Sequence, residues 1–215
     1  RYNHEDKAAR VGGEMTILAY PSYLYVRSRS ESLWDYSGKL SYRFGPTAQV
    51  YLSYATGSKG GGYVSNSSAL GLTGRVEFEP ERARSWEIGA KFRLFDNRLH
   101  VNMAAFNTNF TDLQVSSYTG TSFTTGNAAR ARSRGIEGDA SLRLSDYLTI
   151  GGSGAYLDAR YRDYPGAACV YNAPTGCVSM NLAGYRLTRA PEWKWNAYAQ
   201  VTVPVSTGWA LSGRV

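Results

Sequence analysis

Nineteen arginines against five lysines give this 215-residue chain a formal charge of +7. Guanidinium groups in that excess suit one chemistry above others, the bidentate pairing of phosphate. Other reactive sets are thin. Gly57-Ser58-Lys59-Gly60-Gly61-Gly62 has the glycine content of a phosphate loop, but the Walker spacing is absent and no helical pattern follows. The chain carries no nucleophile elbow, zinc pair or dinucleotide fingerprint. Glu79/Glu81 and Glu137/Asp139 are carboxylate pairs of the kind glycoside chemistry uses. They fall on alternating segments, however, where they face loop solvent or one side of a sheet. No enzyme activity and no cofactor are expected. The arginines recur at the ends of alternating segments and form no continuous stripe, which argues against nucleic-acid binding.

The elements that must position these residues are strands. In Arg82–Phe95 the residues Trp86, Ile88, Ala90, Phe92 and Leu94 share one face, while Glu87, Lys91 and Arg93 share the other. Further strands are predicted at Leu33–Phe44, Ala48–Thr56, Arg98–Val115, Ala129–Leu144, Leu148–Arg160, Glu192–Val203 and Trp209–Val215. Gly45-Pro46-Thr47, Asp96-Asn97, Ser145-Asp146-Tyr147 and Pro204–Gly208 are tight connections of turn-forming residues. Between them lie three long polar loops, Gly57–Glu81, Ser116–Ala128 and Tyr161–Pro191. Short turns at one end and long loops at the other describe an up-and-down meander whose two ends face different environments. Outer-membrane barrels are built this way.

Composition agrees. Hydrophobic content of 43% without an apolar run near ~20 residues excludes a helical membrane protein, but not strands that need only about 9–11 residues to cross. The 17 tyrosines and 23 glycines suit aromatic girdles and glycine-rich connections. There is no initiator Met and no signal-peptide pattern. Arg1–Asp6 reads as the end of a strand running into a loop, and Trp209–Val215 stops inside an alternating run, so a piece of a longer protein is expected. Arg10–Arg29 fits no element and is assigned to a variable loop.

Phe78-x-Pro80-Glu81-x5-Glu87-x-Gly89-x-Lys91, then Asp96-Asn97-Arg98-Leu99, Asn102-x3-Phe106 and Asp112-x-Gln114 form an ordered run. Leu40-x-Tyr42-x-Phe44 and Tyr51-x2-Tyr54-Ala55-x-Gly57-x-Lys59-Gly60-x2-Tyr63 precede it. Asn127-Ala128, Arg134-Gly135-Ile136-Glu137, Tyr156-Leu157-Asp158-Ala159-x-Tyr161 and Gly184-x2-Leu187-x-Arg189-Ala190-Pro191 follow it. In order and spacing this resembles the barrel of TonB-dependent outer-membrane receptors, over roughly Leu33 to the end. The resemblance implies about eight consecutive strands of a large antiparallel transmembrane β-barrel, an all-β fold of 22 strands in that family. It further implies uptake of a scarce nutrient, most often a ferric siderophore, driven by the TonB energy-coupling complex through an N-terminal plug region outside this sequence. A passive porin or other outer-membrane barrel, and a soluble carbohydrate-binding β domain, are the alternatives.

Strand phase then assigns the charges. At a tilt near 40° an apolar band of about 25 Å takes ~9–10 residues. Counted from the tight turns, the residues just beyond that band on the apolar face are Arg82 and Arg84, then Arg130, Arg132 and Arg134, then Arg160 and Arg162, and Arg189. These form an expected outward belt at the level of lipopolysaccharide phosphates. One bulge would reverse the phase and turn them inward, or leave them solvating loop bases. By subtraction Glu87, Lys91, Arg93, Glu137, Asp139 and Arg143 line the lumen. A bulge near Ala104-Ala105 is expected, because Leu99, Val101 and Met103 share one phase and Phe106 and Phe110 the other. Lys59, Tyr63, Tyr118, Phe123, Arg162, Tyr164 and Tyr171 are the loop residues expected to meet a ligand by stacking or charge. Cys169 and Cys177, eight apart in the longest loop of an exported chain, are expected to form a disulfide. A metal site would need more ligands, and His4 and His100 lie on other elements.

Overall fold

The computed structural model describes residues 1–13, 23–64, 77–118, 123–170 and 172–215. Among them are twelve strands: β1 (Tyr2–Gly13), β2 (Tyr23–Trp34), β3 (Ser37–Phe44), β4 (Ala48–Lys59), β5 (Gly62–Tyr63), β6 (Glu77–Phe78), β7 (Glu81–Leu94), β8 (Leu99–Tyr118), β9 (Phe123–Arg143), β10 (Leu148–Asp163), β11 (Trp193–Ser206) and β12 (Trp209–Arg214). Eight of them make one antiparallel sheet in the order β3-β4-β7-β8-β9-β10-β11-β12. Once the short β5–β6 pair is set aside, each strand lies beside its neighbour in the chain. This is the up-and-down meander that the alternation of turns and loops requires.

The tight turns follow from their residues. Asp96 and Asn97 take φ of 52° and 63°, and the Arg98 N–H donates to the Phe95 carbonyl at 3.0 Å. With Phe95 at φ of 53°, three successive residues are left-handed, and Asp96 and Asn97 hold the two central positions at which a type I′ turn requires positive φ. At the opposite end the strands run far past the length needed to cross a bilayer. β8 has 20 residues and β9 has 21, against about 9–11 for a spanning strand.

Three readings of the sequence differ from the structure. Within the expected loop Ser116–Ala128, Ser116–Tyr118 and Phe123–Ala128 are instead the upper part of the β8–β9 ladder. Its sequence is mostly Ser, Thr and Gly with no apolar alternation to mark a strand, yet the Ser116 and Thr125 hydroxyls lie 3.3 Å apart across the strands. The expected bulge at Ala104-Ala105 does not exist: the β7–β8 register is unbroken from Arg82 opposite Thr111 to Leu94 opposite Leu99. The face does not flip; its composition does. Met103, Ala105, Asn107 and Asn109 stay on the face of Trp86 and Ile88, which turns polar, while Phe106 stays on the other. Arg10–Arg29 likewise is partly strand, since β1 and β2 pair from Tyr2 opposite Trp34 to Gly13 opposite Tyr23.

The second face is lined in a repeating way. Tyr51, Phe106 and Tyr198 each stand directly opposite a glycine, namely Gly89, Gly135 and Gly151. With no Cβ opposite, each ring lies down against the wall. A Cβ built on Gly151 would stand 2.6 Å from Cζ and Oη of Tyr198, and one on Gly89 would meet the Tyr51 ring. Gly151→Val should therefore lift the Tyr198 ring and cost about 1–3 kcal/mol. Thermal unfolding of the intact barrel on heat-modifiability gels measures this, and Tyr198→Ala in the same chain should offset the loss. Independent, additive effects of the two substitutions would contradict the packing.

Candidate functional site: the outward face and the external mouth

Residues paired across an antiparallel ladder point to the same face, so the register turns the sheet into rows. Leu52, Ile88, Ala105, Ile136, Tyr156 and Trp193 form one row; Val50, Ala90, Met103, Gly138, Gly154 and Trp195 form the next toward the turns. Going the other way, the row above is Tyr54, Trp86, Asn107, Arg134 and Asp158. Then come Arg84, Asn109, Arg132 and Arg160, and finally Arg82, Thr111 and Arg130. Six of the arginines predicted from phase thus share the apolar face and lie above its apolar rows.

The other two leave the pattern. Arg162 sits in a β-bulge between Tyr161 and Asp163, where the extra residue breaks the phase. Arg189 has φ of 58° in a turn ahead of β11, so strand alternation does not reach it.

The apolar rows are open to their surroundings: Ile88 is 60% exposed, Ile136 59% and Trp195 79%. Aromatic rings mark their upper edge, with Tyr54 against Trp86 at 4.4 Å between centroids and Tyr156 against Trp193 at 4.9 Å. A contiguous exposed face of this size is stable only when something apolar covers it. A soluble carbohydrate-binding domain does not present such a face. Glu87, Lys91, Arg93, Glu137, Asp139 and Arg143 occupy the opposite face in register, where Tyr51 donates to Glu87 at 2.8 Å and Asn102 to Asp139 at 2.9 Å.

Above the rows, charged side chains tie separate loops together at the mouth. Lys7 on β1 bonds the Gly61 carbonyl at 2.7 Å and pairs with Glu5 at 2.6 Å. Arg29 on β2 donates to Glu79 at 2.6 Å and to the Phe78 carbonyl at 3.2 Å; the Glu79 hydrogen bond raises the already high pKa of this guanidinium. Glu31, almost buried, lies between the two cations at 3.7 and 3.3 Å. From β8, Gln114 donates to the carbonyls of Gly60 and Glu79, and Asn127 on β9 donates to those of Glu79 and Asp112. The alternation Glu5-x-Lys7 and Arg29-x-Glu31 is the available signal for this hairpin; it straddles the end of the strand read at Arg1–Asp6 and the segment Arg10–Arg29 read as a variable loop.

Lys59 lines a cavity of about 410 Å3 beside this lock, with Lys7, Phe78, Gln114, Ser116 and Thr125. Tyr63 is half-buried on β5, next in the chain to that cavity's rim. Tyr118 and Phe123 close the β8–β9 ladder as its last pair, and Tyr171 lies outside the described residues. Tyr164 is drawn into the loop's own packing, its ring 5.1 Å from that of Tyr161. Tyr161 in turn packs with Ala131, Phe110, Leu113, Leu182 and Leu187, and burial pushes its phenol pKa up. Beyond the Ala167–Met180 bridge, Cys169 and Cys177 are joined as a disulfide with Cα atoms 6.2 Å apart.

A cross-link over so short a loop restrains the unfolded segment by about 2–3 kcal/mol. Replacing both cysteines with serine should speed proteolytic nicking between Tyr164 and Leu182 while leaving the heat-modifiable barrel intact. Equal nicking rates with and without the bridge would contradict that role.

Comparison with known proteins agrees with this geometry. Residues 1–214 match the family described as TonB dependent receptor-like, beta-barrel. The ferrichrome outer membrane transporter/phage receptor of Escherichia coli is 27% identical over 133 residues, which is 62% of this chain and 17% of that protein. The probable TonB-dependent receptor BfrD of Bordetella pertussis is 30% identical over 108 residues, 49% of this chain and 14% of that protein. Among solved structures, the ferric yersiniabactin uptake receptor FyuA of Yersinia pestis superposes with a TM-score of 0.73 at 16% identity, over 99% of this chain and 29% of that one. The siderophore receptor PiuA of Acinetobacter baumannii gives 0.63 at 18% identity, over 93% and 28%. The chain therefore spans less than a third of each of these four proteins. Its all-strand meander and this family match place it in the integral β-barrel of the outer membrane: the chain belongs to the TonB-dependent receptor β-barrel family.

Proposed function

We propose that this chain is part of the barrel wall of a transporter that imports a ferric siderophore across the bacterial outer membrane. In this reading energy comes from the TonB complex, acting through an N-terminal region outside the sequence. The match over residues 1–214 to the TonB-dependent receptor family carries the proposal. The relatives' own descriptions, ferrichrome transport and ferric yersiniabactin uptake among them, supply the ligand class.

Capture falls to the mouth. Ferric siderophores are commonly anionic or rich in oxygen donors, and the Lys59 cavity offers two ammonium groups beside an aromatic ring and hydroxyls. Of these two, Lys7 is engaged by Glu5 and Gly61, so Lys59 is the cation assigned to the ligand. Arg162, exposed in its bulge, is a second. Tyr63, Tyr118, Phe123 and Tyr171 remain the aromatic residues assigned to stacking. The polar lining of Glu87, Lys91, Arg93, Glu137, Asp139 and Arg143 suits a hydrated plug or aqueous path on the lumen side, in line with transport and not with catalysis.

Deleting the gene should abolish uptake of one radiolabelled ferric siderophore in iron-starved cells, and removing TonB should abolish it equally. Uptake that survives loss of TonB would make the barrel a passive porin. Lys59→Ala in the intact receptor should weaken ligand binding about tenfold, measured by fluorescence quenching on whole cells. Unchanged affinity would remove Lys59 from the site.

A further inference from the structure

We infer that the face opposite the apolar rows holds a second ligand site at its turn end. It is a cationic pocket, walled by Arg43, Lys91 and Arg93, for a small multivalent oxyanion of the polycarboxylate or phosphate class. The inference rests on the reading of this face as the lumen side of an importer, and it adds to the mouth a site at the other end of the path.

Register builds the pocket. Arg43 on β3 stands opposite Gln49 on β4, Gln49 opposite Lys91 on β7, and Lys91 opposite Asn102 on β8, so all four share a row and a face. One step nearer the turns, Arg93 stands opposite His100. There β4 has not yet begun, and the Arg93 N–H donates instead to the Thr47 carbonyl at 2.7 Å. The Gly45-Pro46-Thr47 turn thereby becomes the rim of a cavity of about 490 Å3 that these side chains line.

The charges of this cavity lack partners, which sets it apart from its surroundings. On the same face Lys39 lies over the Tyr51 ring at 3.9 Å, and Arg214 over the Tyr198 ring at 3.8 Å. Among the described residues, Arg43, Lys91 and Arg93 have neither such a ring nor a carboxylate within ion-pair reach. The carboxylate of their own row, Asp139, lies one strand beyond Asn102, whose amide donates to it at 2.9 Å. His100 Nε2 donates to the Asn97 carbonyl at 3.0 Å, which leaves the three cations as the strong donors of the cavity. Like charges gathered without a counter-ion repel one another, so a bound anion gains from relief of that repulsion as well as from direct pairing.

Spacing selects the valence. Arg43 and Lys91 are two strands apart, roughly 10 Å between Cα atoms, and Lys91 and Arg93 are about 7 Å apart along one strand. Their long side chains converge on a single ion from three directions. A monocarboxylate meets one or two of them, whereas an ion bearing several carboxylate or phosphate groups meets all three. Toward the mouth the same face carries Glu87 and Glu137, so the anion-attracting end of the wall is the end at the turns. An anionic ferric complex arriving from the mouth and a free polyanion on the turn side share this chemistry.

The test uses the intact receptor, purified in detergent and checked for heat-modifiable migration. It carries Lys59→Ala, so that the mouth cation adds nothing to the signal. Citrate and acetate are titrated calorimetrically at low ionic strength, where screening is least. Citrate should bind about tenfold more tightly than acetate, and Arg43→Gln with Arg93→Gln should lose about tenfold of citrate affinity. Arg43→Lys with Arg93→Lys should fall between the two. Equal affinity for the two anions, unchanged citrate affinity in the glutamine variant, or a lysine variant as weak as the glutamine one would overturn the site. Uptake in cells, with Lys59 intact, then separates the two sources. Import of the radiolabelled ferric siderophore slowed about tenfold by the glutamine pair, with surface affinity unchanged, makes the cargo the occupant. Import at the normal rate makes it a free polyanion of the periplasm. A receptor that imports no siderophore yet binds citrate in this way would remove the proposed function and leave the site standing.

Discussion

Backbone hydrogen bonding in a medium without water governs everything else in this chain. Each peptide group at bilayer depth must find a partner on the adjacent strand, so the ladders from β3 to β12 cannot lapse between the turn end and the outer interface. Where β7 and β8 face each other, the register holds without a break over the whole length of β7's partner segment. Side-chain phase is a consequence of that continuity. Once Trp86 and Ile88 face lipid, Arg84 and Arg82 must share their face, and the same holds for Arg134 and Arg132 above Ile136. The first described irregularities along β8 and β10 come well above the apolar rows, at Asp112 with φ of 55° and at the Arg162 bulge. There water can satisfy a freed backbone group.

That ordering explains which parts of the fold were legible in the sequence. Between turn and outer interface, one face is forced to be apolar and the other is wet, so alternation is strong and β4, β7, β9 and β10 can be read almost to their turn-side ends. Above the interface neither face is forced to be apolar along its length: one packs locally under the loop, as where Phe110, Leu113 and Ala131 meet Tyr161, and the pattern vanishes although the strands continue. The upper halves of β8 and β9, and the β1–β2 hairpin beyond its Arg1–Asp6 and Leu33-Trp34 ends, are invisible for that reason. Phe106 misled in a related way. An aromatic residue on the wet face looked like a change of phase, whereas it lies flat over Gly135, and a glycine two strands' worth of sequence away announces no such partnership. Arg162 and Arg189 show the same limit for the charges: alternation predicts a face only while the strand lasts.

At the mouth, the legible features were residue types and the illegible ones were partners. Lys59, Tyr63 and the cysteine pair are visible as chemistry in loops. Nothing in their spacing indicated that Lys7 and Arg29, from a segment assigned to no element, would clasp Gly61 and Glu79. Nor did it show that Gln114 and Asn127 would complete the clasp from β8 and β9. The clasp joins carbonyls of irregular backbone to charged side chains, satisfying groups that no ladder reaches. Its effect is to hold a loop-built cavity in shape on a rigid wall, which is how loops come to carry recognition.

The central claim is that the even-numbered residues of β7 face lipid and the odd-numbered ones face the lumen. Nitroxide scanning tests it most directly. Single labels at positions 86 to 92 in the reconstituted intact barrel are compared for collision with oxygen, which concentrates in lipid, and with a water-soluble nickel complex. Positions 86, 88, 90 and 92 should favour oxygen, and positions 87, 89 and 91 the nickel complex. Loss of that two-residue period, or its inversion, would contradict the orientation from which the arginine rows and the lumen lining both follow.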